Sequence, residues 1–390
     1  MKNSMTKMTL NIFSIIFILL FSLHASAQDS QDKVLINEGV EYLKNNQADK
    51  AIEKFNKVIE TDPNNSEAFR RRGNAYTMKG NFDQAMFDYN KAIKINPNSY
   101  EAHENRGQVH NFRNRPDQAI ADFDKAIEIN SKYAEAFLDK AIIFANQNKI
   151  NDALINFNKA IELKPDFAKA YYALGIFCYK NKEPDKAIYN FTKALELDPG
   201  DKSAYLLRGR NFVEKKDYDQ GIADYNKFLE TEQGDPMAYF SRAVAYCEKG
   251  KYDKALADYD KLLRMNLGNM NLMIYGNRAY TYSKKGDLSK AISDYTKAIN
   301  YNRNICGYYH GRGYVYLQTG QYDNAISDFS KAINLDPKSI QSYYYRSKAY
   351  FYKKKYDKSV EDLNKARDLG YAIEPDFLEK LNKELENSTI

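Results

Sequence analysis

The sequence holds no tryptophan, three cysteines, four histidines and nine prolines in 390 residues. Cys178, Cys247 and Cys306 are odd in number and widely spaced, so they frame neither a disulfide scaffold nor a zinc site. No glycine-rich phosphate loop, nucleophile elbow or metal-spaced cluster occurs, and the chain reads as non-catalytic, with no cofactor and no metal. Of the few histidines, His103 and His110 occupy positions that are aromatic elsewhere in the pattern described below. Long apolar runs are missing too, except at the start, and the mean hydropathy of −0.69 excludes a polytopic membrane protein. That one run, residues 12–23, follows Lys2 and Lys7 and precedes Ala25-Ser26-Ala27. It falls short of the roughly 20 residues that span a bilayer. Residues 1–27 therefore read as a secretory signal peptide cleaved before Gln28. The expected mature chain is exported, periplasmic or secreted, with no transmembrane segment after cleavage, and its net charge drops from +6 to +4.

Tyrosine and phenylalanine, by contrast, are abundant at 33 and 21, and lysine outnumbers arginine by 43 to 15. Both biases trace to a 34-residue period. Ten copies begin at residues 32, 66, 100, 134, 168, 202, 236, 272, 306 and 340, with Met270-Asn271 as an insertion. Position 8 is small throughout (Gly39, Gly73, Gly107, Ala141, Gly175, Gly209, Ala243, Ala279, Gly313, Ser347), as is position 20. Position 24 is aromatic in nine copies, and positions 4 and 11 in eight each. Positions 4, 8 and 11 recur at helical spacing, as do 20, 24 and 27, with Gly or Asn between the two runs and Pro63, Pro97, Pro165, Pro199 and Pro337 after the second. Each copy is thus an antiparallel helix pair, helix A then helix B, closely packed where the residues are small.

The pattern of a large residue at 4, small at 8, aromatic at 11 and 24, Ala at 20 and 27 and Pro at 32 resembles the tetratricopeptide repeat (TPR) family, over residues 32–373. The resemblance implies an all-α fold: a right-handed superhelical solenoid of ten antiparallel helix pairs whose helices A line a concave groove. Residues 28–31 precede it as a short N-terminal segment, and residues 374–390 form a capping helix and tail, with Phe377, Leu378, Leu381 and Leu385 on one side. Phe228 and Leu262 replace the small residue at position 27, so altered stacking is expected between residues 228 and 273.

Arg at position 7 and Asp at position 23 occur together in seven repeats: Arg72 with Asp88, Arg106 with Asp122, Arg208 with Asp224, Arg242 with Asp258, Arg278 with Asp294, Arg312 with Asp328 and Arg346 with Asp362. In a lysine-rich chain, Arg at one register points to a planar, doubly hydrogen-bonded partner. An ion pair between helices A and B of one repeat is expected, and the matched Asp argues against a nucleic-acid ladder.

The resemblance places binding in the groove, mainly at positions 2, 5, 9, 12 and 13, with position 6, here Asn105, added by the carboxylate clamp of some members. Candidates are Arg70, Asn74 and Asn105 in the polar first half, and Tyr172, Tyr179, Phe240, Tyr280, Tyr314, Tyr344 and Phe351, with Tyr352, in the aromatic second half. Arg70, Asn74 and Asn105 match three of the five residues with which some family members clamp a terminal carboxylate; Glu135 and Asp139 have the wrong sign for the other two. Repeats 7–10 carry a net +10 and repeats 1–6 a net −2, so a protein or peptide partner, acidic where it meets the second half, is expected. Part of that basicity sits on turns, at Lys284-Lys285 and Lys353-Lys354-Lys355, where a solvated surface is expected. The alternatives are a glycan or cell-wall binding module and a structural spacer.

Overall fold

The computed structural model describes residue 28 and residues 30–388; the signal-peptide assignment, residues 1–27, lies outside them. Among the described residues the chain is helix and turn, without strands. It divides into two compact bodies between Phe177 and Cys178, inside helix A of repeat 5, Ala168–Lys180.

In the N-terminal body, repeat 1 pairs a helix over residues 30–44 with Ala48–Thr61, so residues 30 and 31 belong to the first helix and not to a separate segment. Repeats 2 to 4 pair Ser66–Met78 with Phe82–Ile95, Tyr100–Phe112 with Pro116–Ile129, and Ala134–Asn146 with Ile150–Leu163. In the C-terminal body, Pro184–Leu197 completes repeat 5. Repeats 6 to 8 pair Lys202–Glu214 with Tyr218–Thr231, Pro236–Glu248 with Tyr252–Arg264, and Met270–Lys285 with Leu288–Tyr301. Repeats 9 and 10 pair Cys306–Gln318 with Tyr322–Leu335 and Ile340–Tyr352 with Tyr356–Asp368. The helix Pro375–Ser388 follows. Helices A also touch one another in succession, from repeat 2 to repeat 4 in the first body and from repeat 6 to repeat 10 in the second.

The small residue at position 8 is explained by the ring at position 24. A Cβ on Gly73 would lie 2.6 Å from the Tyr89 ring, so helix B rests its aromatic directly on the helix A backbone. Tyr89 and its equivalents Phe55, Phe123, Phe157, Phe191, Tyr225, Tyr259 and Phe329 are buried almost completely. In repeat 10, serines take both small positions and bond each other, Ser347 Oγ donating to the Ser359 carbonyl at 2.8 Å. Between helices, position 15 has positive φ in all ten repeats: Asn46, Gly80, Asn114, Asn148, Lys182, Lys216, Gly250, Gly286, Gly320 and Lys354. Glycine and asparagine enter this left-handed region easily, whereas lysine is strained there.

The insertion is taken up by helix. Helix A of repeat 8 starts at Met270 and runs 16 residues where helix A of repeat 9 has 13. Phe228 and Leu262, with Tyr239, Tyr246, Cys247, Tyr259 and Ile274, form a contiguous buried cluster across residues 222–274. The larger side chains at position 27 are thus packed into a broadened core.

Candidate functional site

The recurrent arginines are spent inside the fold. Arg72 donates from Nε and Nη2 to both Asp88 carboxylate oxygens at 2.8 Å. The six equivalent pairs make the same bidentate contact, at 2.6–3.0 Å, for example Arg242 to Asp258 at 2.8 and 2.7 Å. The third donor, Nη1, reaches position 25 of the preceding repeat: Asn56, Asn90, Thr192, Asn226, Asp260, Thr296 or Ser330. Each arginine therefore ties its own helix B to the previous one, a link that pairing positions 7 and 23 alone did not reveal. In repeats 6–10 the guanidinium also lies between the rings at positions 4 and 11, such as Tyr239 at 5.2 Å and Tyr246 at 5.8 Å from Arg242. Tyrosine at these positions packs and supplies cation–π contact together.

Two of the turn lysines also bridge repeats, while Lys284, Lys354 and Lys355 stay exposed, in keeping with a solvated surface. Lys285 pairs with Asp253 at 2.6 Å and Lys353 with Asp323 at 2.8 Å, each reaching back one repeat. Lys215 and Lys249 contact Asp185 and Asp219 in the same register.

In the N-terminal body, the polar candidates satisfy one another. Asn74 Oδ1 accepts from Asn105 Nδ2 at 2.8 Å and from the Tyr89 hydroxyl at 2.9 Å. Arg70 is largely buried, 3.5 Å from Glu67, and burial lowers its pKa. Glu135 pairs with Lys164 at 2.9 Å, and Gln108 donates to Asp139 at 3.0 Å and to Glu104. Glu104 is 6% exposed; burial first, then the Asp139 charge, pushes its pKa up to about 8, and burial pushes Asp139 up to about 6.

In the C-terminal body, several aromatic candidates prove to be core. Tyr344 is fully buried, with Tyr371 at 4.5 Å and Phe377 at 6.0 Å, and Phe351 packs 5.5 Å from Phe377. Both are corrected as groove residues: the helix Pro375–Ser388 needs an apolar seat, and they provide it. Phe240 packs edge-on against Tyr259 at 6.0 Å, and the Tyr179 hydroxyl accepts from Arg210 at 3.3 Å. Tyr172, the one aromatic candidate on the N-terminal side of the division, is half-buried. Tyr352 is exposed but stacks on Tyr322 at 5.1 Å.

Tyr280 and Tyr314 have a different setting. With Lys284, Tyr295, His310, Gly307, Gly311, Gln318, Gln341, Ser283 and Tyr345 they line a cavity of about 620 Å³ across repeats 8–10. Helical spacing brings Gly307, His310, Gly311 and Tyr314 to one face of helix A of repeat 9, while Tyr280 and Lys284, and Gln341 and Tyr345, sit one turn apart on the flanking helices A. Tyr314 and Tyr345 meet edge to face at 5.0 Å. His310 Nδ1 lies 3.0 Å from Ser342 Oγ, and burial lowers its pKa, which keeps the ring neutral at neutral pH. Lys284 lies 5.4 Å over the Tyr280 ring, which raises its pKa. It has no carboxylate partner among the described residues, and no carboxylate lines the cavity. The sequence signal for this site was the pair of glycines at positions 2 and 6 of repeat 9, where no other repeat has glycine at either position.

Tetratricopeptide repeat models match residues 66–99, 88–121, 168–201, 206–269 and 274–305, and TPR repeat models match 39–80, 141–182 and 313–351. The chain belongs to the tetratricopeptide repeat family. Solved TPR-type structures similar to it include PilF of Pseudomonas aeruginosa, 22% identical, covering 52% of this chain and 92% of its own at a TM-score of 0.48. Yeast Tom70 is 15% identical, with 93% and 96% covered and a TM-score of 0.40. The Cut9–Hcn1 assembly of the APC/C is 13% identical, with 93% and 98% covered and a TM-score of 0.46. At these identities the likeness concerns the fold alone. No curated relative matches the sequence. Among the described residues of this TPR protein, no helix is long and apolar enough to cross a membrane.

Proposed function

We propose that the protein is an exported, non-catalytic protein–protein interaction scaffold of the periplasm or cell envelope, which holds a partner in the A-helix groove of repeats 8–10. The export part rests on the sequence of residues 1–27. The site is supported by one contrast: the position-7 arginines of the A helices are each held by an aspartate within the chain, as Arg242 and Arg312 are, whereas Lys284 lies with Tyr280 and Tyr314 at a cavity that no carboxylate lines. TPR architecture does not name a ligand, so the local site carries the argument. Recognition is by equilibrium binding: rigid tyrosines supply amphipathic contact at little entropic cost, and Lys284 with the basic repeats draws an anionic partner.

The test is affinity capture from envelope extracts with the mature chain and with the double variant Tyr280→Ala, Tyr314→Ala. Loss of the same partner from the variant, and weakening of capture as salt rises, are the expected results. Capture indifferent to both substitutions removes this groove from consideration, and no partner at all would favour a structural spacer.

A further inference from the structure

Gly307 and Gly311 lie one helical turn apart on helix A of repeat 9: the first leaves an open slot, and the end of the Tyr295 ring closes it at the second. A Cβ at Gly307 would meet nothing within 4 Å, and one at Gly311 would lie 2.6 Å from the Tyr295 hydroxyl. The slot therefore has a hydroxyl at its floor. Tyr295 is 6% exposed and lines the cavity, and its hydroxyl makes no hydrogen bond among the described residues, so an occupant that covers it without offering one leaves it unpaired, which is costly. An occupant that stabilises the site brings a polar tip to that oxygen. The faces of Tyr280, Tyr314 and Tyr345 around the slot suit a flat, apolar body behind the tip. At the rim, Lys284 lacks a carboxylate partner while its neighbour Lys285 has Asp253. The space beyond one ring, in about 620 Å³, admits backbone amides to Gln318 and Gln341.

A planar body with a hydroxyl tip, next to an acid, describes a tyrosine in an acidic peptide segment. We infer that the cavity of repeats 8–10 receives a tyrosine side chain of the partner, seated between Gly307 and Gly311, with a neighbouring Asp or Glu at Lys284. This rests on the scaffold reading and specifies its ligand. Phenylalanine would leave the Tyr295 hydroxyl unpaired, so the site discriminates between the two rings by that single oxygen.

The experiment pans a phage-displayed library of random dodecapeptides on the mature chain, with counter-selection on Gly307→Leu. That substitution fills open space without touching the core, and far-ultraviolet circular dichroism checks its fold. Enriched sequences should carry Tyr flanked by Asp or Glu. A synthetic peptide from the selection should lose about tenfold or more in affinity on Gly307→Leu and on Tyr→Phe in the peptide, the scale of a lost hydrogen bond. Lys284→Met should weaken it at low salt and matter little at high salt. Peptides that bind Gly307→Leu equally well overturn this site and leave the scaffold reading standing. Absence of any enriched peptide overturns both readings, and calorimetric heat from digalacturonic acid that Gly307→Leu abolishes would then assign the cavity to a glycan.

Discussion

Arginine at position 7 does what lysine cannot: its planar fork holds two oxygens of one aspartate and still offers a third donor to the preceding repeat. Arg242, with Asp258 and Asn226, shows the whole arrangement, and its side chain is only 17% exposed. Arg242→Lys keeps the charge and loses the fork, so it should cost about 2 kcal/mol, read as a lower urea midpoint. Arg242→Ala should cost more, because Asp258 is then left buried and alone. Glu104 makes an opposite case. Its pKa lies near 8 in the folded chain, above the ordinary glutamate value. The folded state therefore holds a proton that the unfolded state releases: the contribution is complete below the ordinary value and is lost as pH rises through about 8. Asp139, raised to about 6, acts in the same direction. Stability should decline between about pH 4.5 and 8, and Glu104→Gln should flatten that slope and raise the midpoint at pH 8.5 by the equivalent of roughly 2 kcal/mol. A slope unchanged by the substitution would remove the pair from the account.

At the scale of the element, helix A, turn and helix B were legible because three constraints coincide on one period: small residues where backbones touch, rings where space must be filled, and a turn residue between. The turn is the strained part. Lys216 has φ of 64° and Lys182 and Lys354 are similar, whereas Gly250 fills the same place in repeat 7 with nothing within 4 Å of a built Cβ. Lys216→Gly should therefore stabilise the chain by about 0.5–1 kcal/mol, and Gly250→Lys should destabilise it by a similar amount, both read from chemical denaturation midpoints. The closing element, Pro375–Ser388, buries Phe377 and Leu381 against Tyr344, Leu363 and Ala366. Its amphipathic spacing announced a cap. That the seat would consume Tyr344 and Phe351 was not legible, because position 5 in repeat 10 has the same register as in repeats with an open groove, and only the docked helix distinguishes it.

For the whole molecule, stability of a repeat array comes from each repeat covering the next, so the last one depends on its cap. Truncation after residue 373 should expose Tyr344 and Leu363 and give self-association by size-exclusion chromatography; Phe377→Asp with Leu381→Asp should do the same in the full chain. A truncated chain that stays monomeric and equally stable would deny the helix this role. Architecture, repeat boundaries and the Arg–Asp register follow from periodicity, since a 34-residue pattern states locally which faces must be buried. The link from Arg to position 25, the pairing of turn lysines across repeats and the cavity at Gly307 and Gly311 needed the folded chain. Each joins residues on different helices, 16 apart for Arg242 and Asn226, 30 for Lys353 and Asp323 and up to 65 for Tyr280 and Tyr345, and a linear pattern specifies the face of a helix but not which side chain of the next helix arrives there. Periodicity therefore accounts for the succession of helix pairs, and packing alone decides which A-helix side chains are used up inside the fold.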